Sequence, residues 1–204
     1  MTDLGYVHYY VGIEVTQHLK SIFLSQKKYI GDPLNRFDMT KCNPLTTPME
    51  QNLKLTSIEG KEFEDATKYR QLVGSLNYLT TTRPDISFAV GILSNFMQKP
   101  CEGHWSLAKR VLRYLKGTQD FGIKYTQVDD FNLIGYSDSD FDGDKETGVS
   151  TSEYVMSLGL GAVSWRSRKQ LVPADSTTEA EYVAAAEATK EIVLLKKILE
   201  DLQA

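Results

Sequence analysis

The stretch STTEAEYVAAAEATKEIVLLKKILEDL, residues 176–202, decides how the end of this chain folds. Counting from Glu181 in alternate steps of four and three gives Ala185, Ala188, Ile192, Leu195, Leu199 and Leu202, an apolar seam at helical period. The spacing predicts one long helix with Glu181 on the axis of its core-facing stripe. A carboxylate facing a core is costly unless it is paired, protonated or bound to a metal. Capping competes as an account of this acidic start, because Thr178 with Glu181 and Ser176 with Glu179 both fit the Ser/Thr-x-x-Glu box. A helix opening at Ser176, with Glu179 as the box partner, leaves Glu181 in the first turns as either a solvated side chain or a ligand.

Upstream of this helix the period is two. Phe121 to Tyr125, Phe131 to Ser137, Glu153 to Leu158 and Ala162 to Arg168 read as strands, with Gly159 and Gly161 in the turn between the last two. An antiparallel meander closed by the long helix follows. In the strand from Phe131, alternation puts Ile134, Tyr136 and Asp138 on one face, so a carboxylate ends an apolar row. If the helix covers that face with its first turns near the strand's end, Asp138 and Glu181 share a divalent cation, as in-line phosphoryl chemistry requires. Oxygen ligands favour Mg²⁺, Mn²⁺ or Ca²⁺ over zinc.

A rival metal reading comes from DSDFDGDKETGV, residues 138–149, where Asp138, Asp140, Asp142 and Gly143 occupy the first, third, fifth and sixth positions of an EF-hand loop. Val149 stands where that loop needs a bidentate Glu, Lys145 takes a position that is usually apolar, and a strand enters the segment. These features argue against it. Asp140, Asp142 and Asp144 read instead as a solvated turn around Gly143.

The first half is organised differently. Tyr6 to Val15 and Ser21 to Ser25 alternate around a turn at His18 to Lys20 and read as a hairpin. A short helix from Gln26 to Phe37 contains Pro33, which would kink or break it. Asn43 to Asn52, with Pro44 and Pro48, reads as loop, and Ile58 to Glu64 as exposed linker. Helical spacing then recurs three times: Tyr69, Leu72, Val73, Leu76 and Leu79; Ile86, Ala89, Val90, Leu93 and Met97 after the break at Arg83-Pro84-Asp85; and Trp105, Ala108, Leu112 and Leu115, ending at Gly117. The overall expectation is an α+β chain, with a hairpin and a three-helix segment over 1–120 and the meander and long helix over 121–204.

The chain has 204 residues, 41% of them hydrophobic, enough for packed cores in one or two domains. Its 23 Lys and Arg against 27 Asp and Glu leave a net charge of -4, so any attraction to nucleic acid must be local. Lys109, Arg113 and Lys116, with Arg110 adjoining, share one face of the third helix, and Arg166 and Arg168 alternate beside Lys169; each group is either a phosphate-tracking stripe or a solvated face. Cys42 and Cys101 show no metal or redox spacing, which points to a reducing compartment, cytosol or nucleus. No signal peptide or apolar run long enough to span a bilayer is visible, so secretion and membrane insertion are not expected. His8, His18 and His104 are dispersed and receive no role.

YSDSDFDGDKE, STSEYV, GAVSWRSRKQ and the C-terminal helix together resemble the ribonuclease H region of copia-type retrotransposon Pol polyproteins. VGIEV, IFLSQKKYI, YRQLVGSLNYLTTTRPDISFAV and HWSLAKRVLRYLKGTQDFGI resemble the segment that joins reverse transcriptase to ribonuclease H in the same polyproteins. The resemblance implies a ribonuclease H-like second domain in which carboxylates hold Mg²⁺ (or Mn²⁺) and cut the RNA strand of an RNA/DNA hybrid. Asp138 matches the first-strand Asp and Glu181 the first-helix Glu, both as metal ligands and catalytic groups, with Lys109, Arg113, Lys116, Arg166 and Lys169 guiding the hybrid. The implied partners are nucleic acid and the rest of a Pol polyprotein, with no membrane and no small-molecule substrate. The family's third ligand comes from a strand after this helix, beyond Ala204, so the resemblance also implies a truncated site that is incomplete for catalysis. The acidic metal motif of the polymerase is absent as well, which excludes polymerase activity. Gly148 and Val149 replace a usual Arg and Lys, Glu153 a Gly, and Asp175 an apolar residue.

Overall fold

The computed structural model describes residues 5–50, 60–128, 131–144 and 148–202, the side chains of 142–144 excepted. Chain contacts divide it into two units that meet between Gln127 and Val128, rather than between 120 and 121. The architecture is α+β, with two antiparallel sheets.

The first unit opens with β1 (Tyr9–Tyr10), β2 (Ile13–His18) and β3 (Ser21–Ser25). The expected first strand is interrupted: Val11 (φ 45°) and Gly12 (φ 78°) both adopt the left-handed conformation of a tight turn, which folds β1 back on β2. A Cβ at residue 12 would also collide with the Tyr78 hydroxyl. β4 (Gly122–Thr126) is antiparallel to β3, with Ser25 opposite Gly122. The segment expected to begin the meander therefore completes the first sheet, in the order β1-β2-β3-β4. Period two announces a strand but not its partner, and the ladder with β3 settles the choice.

Four helices pack in this unit: α1 (Lys27–Arg36), α2 (Ala66–Leu79), α3 (Ser87–Ser94) and α4 (Glu102–Gly117). Pro33 sits inside α1 and is buried there. The apolar faces read from spacing converge on one core that includes Ile30, Leu72, Leu76, Leu93, Leu112 and Leu115, so α1 joins the three helices expected to form it. Asp65 caps α2 by accepting from Lys68 N–H at 2.8 Å. Residues 60–64 are exposed as expected apart from Phe63, but they are tied down: Phe63 N–H donates to the Pro100 carbonyl and its ring stacks on Trp105, with centroids 4.9 Å apart. Positions 51 and 52 of the expected loop, and 58 and 59 of the expected linker, lie outside the described residues.

The second unit is a meander of β5 (Leu133–Asp144), β6 (Val149–Leu158) and β7 (Gly161–Lys169), followed by α5 (Thr177–Asp201). Gly159 (φ 59°) supplies the left-handed residue of the β6–β7 turn. The strand runs through Asp144 and resumes at Val149, so residues 138–144 do not form the helix-flanked EF-hand loop; Lys145 lies outside the described residues, as do the side chains of Asp142 and Asp144. Ser176 is the N-cap of α5, its hydroxyl accepting from Glu179 N–H at 3.2 Å, while the Glu179 carboxylate accepts from Asp175 N–H at 2.7 Å. Replacing Ser176 with Ala is expected to cost about 1 kcal/mol, read as a lower urea midpoint with unchanged slope. None of the described helices is long and apolar enough to cross a membrane.

Candidate functional site

Only one face of the three-stranded sheet is covered by α5. A Cβ on Gly135 would touch Ile192 and Met156, which places Gly135, and by alternation Ser137 and Ser139, under the helix. Their register partners Met156, Tyr154 and Ser152 are all buried on the same side. Ile134, Tyr136 and Asp138 do share a face, as alternation predicts, but it is the opposite one. Tyr136 is 66% exposed there, and Asp138 is exposed beside it.

The helix seam counted from Glu181 holds in its middle, where Ala188 is buried and Ile192 and Leu195 pack against the sheet, but in the first turns Ala180 and Ala184 are buried, whereas Glu181 and Ala185 are exposed and Leu202 lies in solvent. The true seam is shifted by one residue in the first turns, because sinking an alanine against the serines of β5 and β6 is far cheaper than burying a charge. Glu181 is therefore exposed rather than buried against the sheet.

The two elements nevertheless meet at the expected end. Ala180 is joined through Gln170 to Ser152, the register partner of Ser139, and Ile192 lies over Gly135, so α5 runs antiparallel to β5 with its first turns at the acidic strand end. Asp138 and Glu181 are thus level along the sheet but on different sides of it. Asp138 Oδ1 accepts from Ser139 N–H at 2.8 Å. Across the strand pair, Glu153 stands opposite Asp138 and accepts from the Ser167 hydroxyl at 2.7 Å. Burial pushes the Glu153 carboxyl above the usual range, the Ser167 hydrogen bond pulls it down, and the charges of Asp138 and Asp140 push it up again. A like charge opposite Asp138, where the family resemblance has Gly, is something the one-strand view of the sequence could not weigh.

The residues present do not fit the Mg²⁺ that the resemblance implies. Asp138 lies on the face of the sheet that α5 leaves open while Glu181 is exposed on α5, and among the described residues no group of three or more His, Cys, Asp or Glu is placed to hold a metal.

The basic residues are distributed too. Arg113 Nε donates to the Asn43 carbonyl at 2.8 Å, and Lys116 Nζ donates to the carbonyls of Thr40 and Cys42, each at 2.7 Å. Arg110 pairs with Glu50 at 2.9 Å, and the Lys109 ammonium lies 5.7 Å from the Trp105 ring centroid. This face of α4 clamps the proline-containing loop of the first unit instead of presenting an open stripe. Arg166 and Arg168 are exposed on the side of the sheet that carries α5, while Lys169 belongs to the side of Asp138.

Sequence reading also missed a polar centre in the first unit. Arg83, read only as part of a helix break, gives two hydrogen bonds to Asp85 at 2.8 and 2.6 Å and two to Thr118 at 2.8 and 2.7 Å. Tyr114 donates its hydroxyl to the same carboxylate at 2.7 Å. A cavity of about 380 Å³ opens beside this group, but Arg83 and Asp85 are paired with each other, and Asp120 with Lys27. The only sequence signal was a charged pair flanking a proline.

Residues 1–51 match the family described as reverse transcriptase (RNA-dependent DNA polymerase). Over 196 residues the chain is 43% identical to the retrovirus-related Pol polyprotein from transposon RE2 of Arabidopsis thaliana, covering 96% of this chain and 14% of that one. It is 40% identical over 211 residues to the Pol polyprotein from transposon TNT 1-94 of Nicotiana tabacum, covering 99% of this chain and 16% of that one. An uncharacterised mitochondrial protein of Arabidopsis thaliana is 40% identical over 192 residues, covering 94% of this chain and 80% of the relative. No solved structure matches the chain. It spans 14% and 16% of the two Pol polyproteins, yet the similarity runs through nearly all of its own residues. This chain belongs to the copia-type retrotransposon Pol family.

Proposed function

We propose that this chain is the Pol segment that joins a reverse transcriptase to a ribonuclease H-related unit, and that by itself it does not cut RNA/DNA hybrids. The supporting observation is positional: a three-stranded antiparallel meander precedes a long helix, with Asp138 midway along the first strand and Glu181 in the first turns of the helix. That order matches the resemblance residue by residue. Inertness follows from the same geometry, because two carboxylates on opposite sides of a sheet do not form the clamp that stabilises the attacking and leaving oxygens of an in-line displacement.

The test is cleavage of a labelled RNA/DNA hybrid by the wild-type chain in Mg²⁺ and in EDTA, beside Asp138→Asn and Glu181→Gln. Equal background cutting in all four samples is the expected result. Mg²⁺-dependent cleavage that disappears in both variants would show the chain to be a ribonuclease on its own. Hybrid binding without cleavage, if it occurs, is expected to weaken steeply with salt.

A further inference from the structure

The polar side chains beneath the first turn of α5 have no part in the reading above. Gln170 follows β7 directly and is 5% exposed. Its Nε2 donates to Ser152 Oγ at 2.9 Å and to the Ala180 carbonyl at 3.0 Å, while its backbone N–H donates to the Ser150 carbonyl at 2.8 Å. One side chain thus ties β6 to α5. A carbonyl only accepts, so Ala180 fixes which end of the amide is nitrogen and leaves Gln170 Oε1 as an acceptor.

That oxygen is shielded from solvent and meets no donor among the described residues, and the same is true of Ser139 Oγ. Ser139 is the register partner of Ser152 on the face under the helix, so the two orphaned oxygens flank one serine hydroxyl. Buried polar atoms are almost always satisfied, by protein or by ordered water, and a water needs two to four polar partners and little room. Ala180, Ser139 and Ser152 all have small side chains.

We propose that Gln170 Oε1, Ser139 Oγ and Ser152 Oγ hold one long-lived buried water under the first turn of α5. The water donates one proton to Gln170 Oε1 and exchanges its other hydrogen bonds with the serine hydroxyls. Through Gln170, whose Nε2 holds the Ala180 carbonyl, the water links the strand residue next to Asp138 to the helix residue next to Glu181.

Water-to-amide cross-relaxation in NMR spectra of the full chain tests this. The wild type is expected to show contacts of the sign given by a bound water at the amides of Ser139, Ser152 and Ala180. Gln170→Met, which keeps the length of the side chain without its acceptor, is expected to abolish them. Should that variant fail to fold, Ser139→Ala gives the second reading, with loss or marked weakening of the same contacts. A wild-type spectrum without them, contacts unchanged in either variant, or a direct Ser139 hydroxyl bond to Gln170 seen by through-bond coupling would overturn the proposal.

Discussion

Met156→Ala is expected to destabilise the second unit by about 3 kcal/mol, within the range for emptying a fully buried core site. The side chain is completely buried, and the cluster around it is thin: Tyr154 and Ala188, with Val163, Ile192 and Leu195 only partly buried against it. Few neighbours can collapse into the space, because α5 already approaches the sheet closely through alanines and Gly135 has no side chain to offer. A loss of that size is a large share of a small domain's total stability. Trp165 belongs to this unit, so urea unfolding of a Trp105→Phe background, followed by fluorescence, reports the transition directly. A loss well under about 1 kcal/mol would mean that the cluster repacks and that the helix is held mainly by its polar contacts.

Arg83→Met is expected to cost the first unit about 3 kcal/mol. Removing one partner of a buried ion pair generally costs roughly 3–5 kcal/mol, because the other charge is left without compensation. The low end applies here, since the Arg83 side chain is 2% exposed but that of Asp85 is 34% exposed and keeps some water. Four hydrogen bonds go with the guanidinium, as do its contacts over the rings of Tyr114 and Phe121, each 5.5 Å from the guanidinium carbon to the centroid. The same group carries a pH dependence. Burial pushes the Asp85 carboxyl up, but the hydrogen bonds from Arg83 and Tyr114 and the Arg83 charge outweigh it and hold the group below the usual carboxylate range. A depressed folded-state pKa contributes stability that is present above the unfolded value and lost as pH falls through the folded one. Thermal midpoints measured between about pH 5 and pH 2 should therefore fall for the wild type and fall less for Arg83→Met. Parallel curves would show that the pair contributes nothing to acid sensitivity.

Most of the secondary structure was legible because it rests on local regularities. The spacing of Leu72, Leu76 and Leu79, or of Ala108, Leu112 and Leu115, is helical whatever surrounds it, and these residues are buried as that spacing requires. Ser176 was readable as a cap for the same reason. What failed was partnership. Gly122–Thr126 looks like a strand from sequence, but only the ladder with β3 assigns it to the first sheet. The cations of α4 look like a stripe for phosphate until the carbonyls of residues 40–43 are seen to accept from two of them.

The candidate site divides along the same line. Sequence alone placed Asp138 in a strand and Glu181 in the first turns of a helix, because periods of two and 3.6 are imposed by the backbone, but it ended that strand too early, since β5 runs on to Asp144. It also fixed that Asp138 lies with Ile134 and Tyr136. Only the tertiary structure decided which face of the strand the helix takes, and it chose the less hydrophobic one. Gly135, Ser137 and Ser139 read as solvent-facing on any hydropathy scale, yet the bare backbone of Gly135 leaves to Ile192 of α5 the space a side chain would fill, whereas Ile134 and Tyr136 would hold the helix off. Shape complementarity between small residues leaves no apolar signature in a sequence, and that is why the two carboxylates, correctly placed along the chain, ended on opposite sides of the sheet.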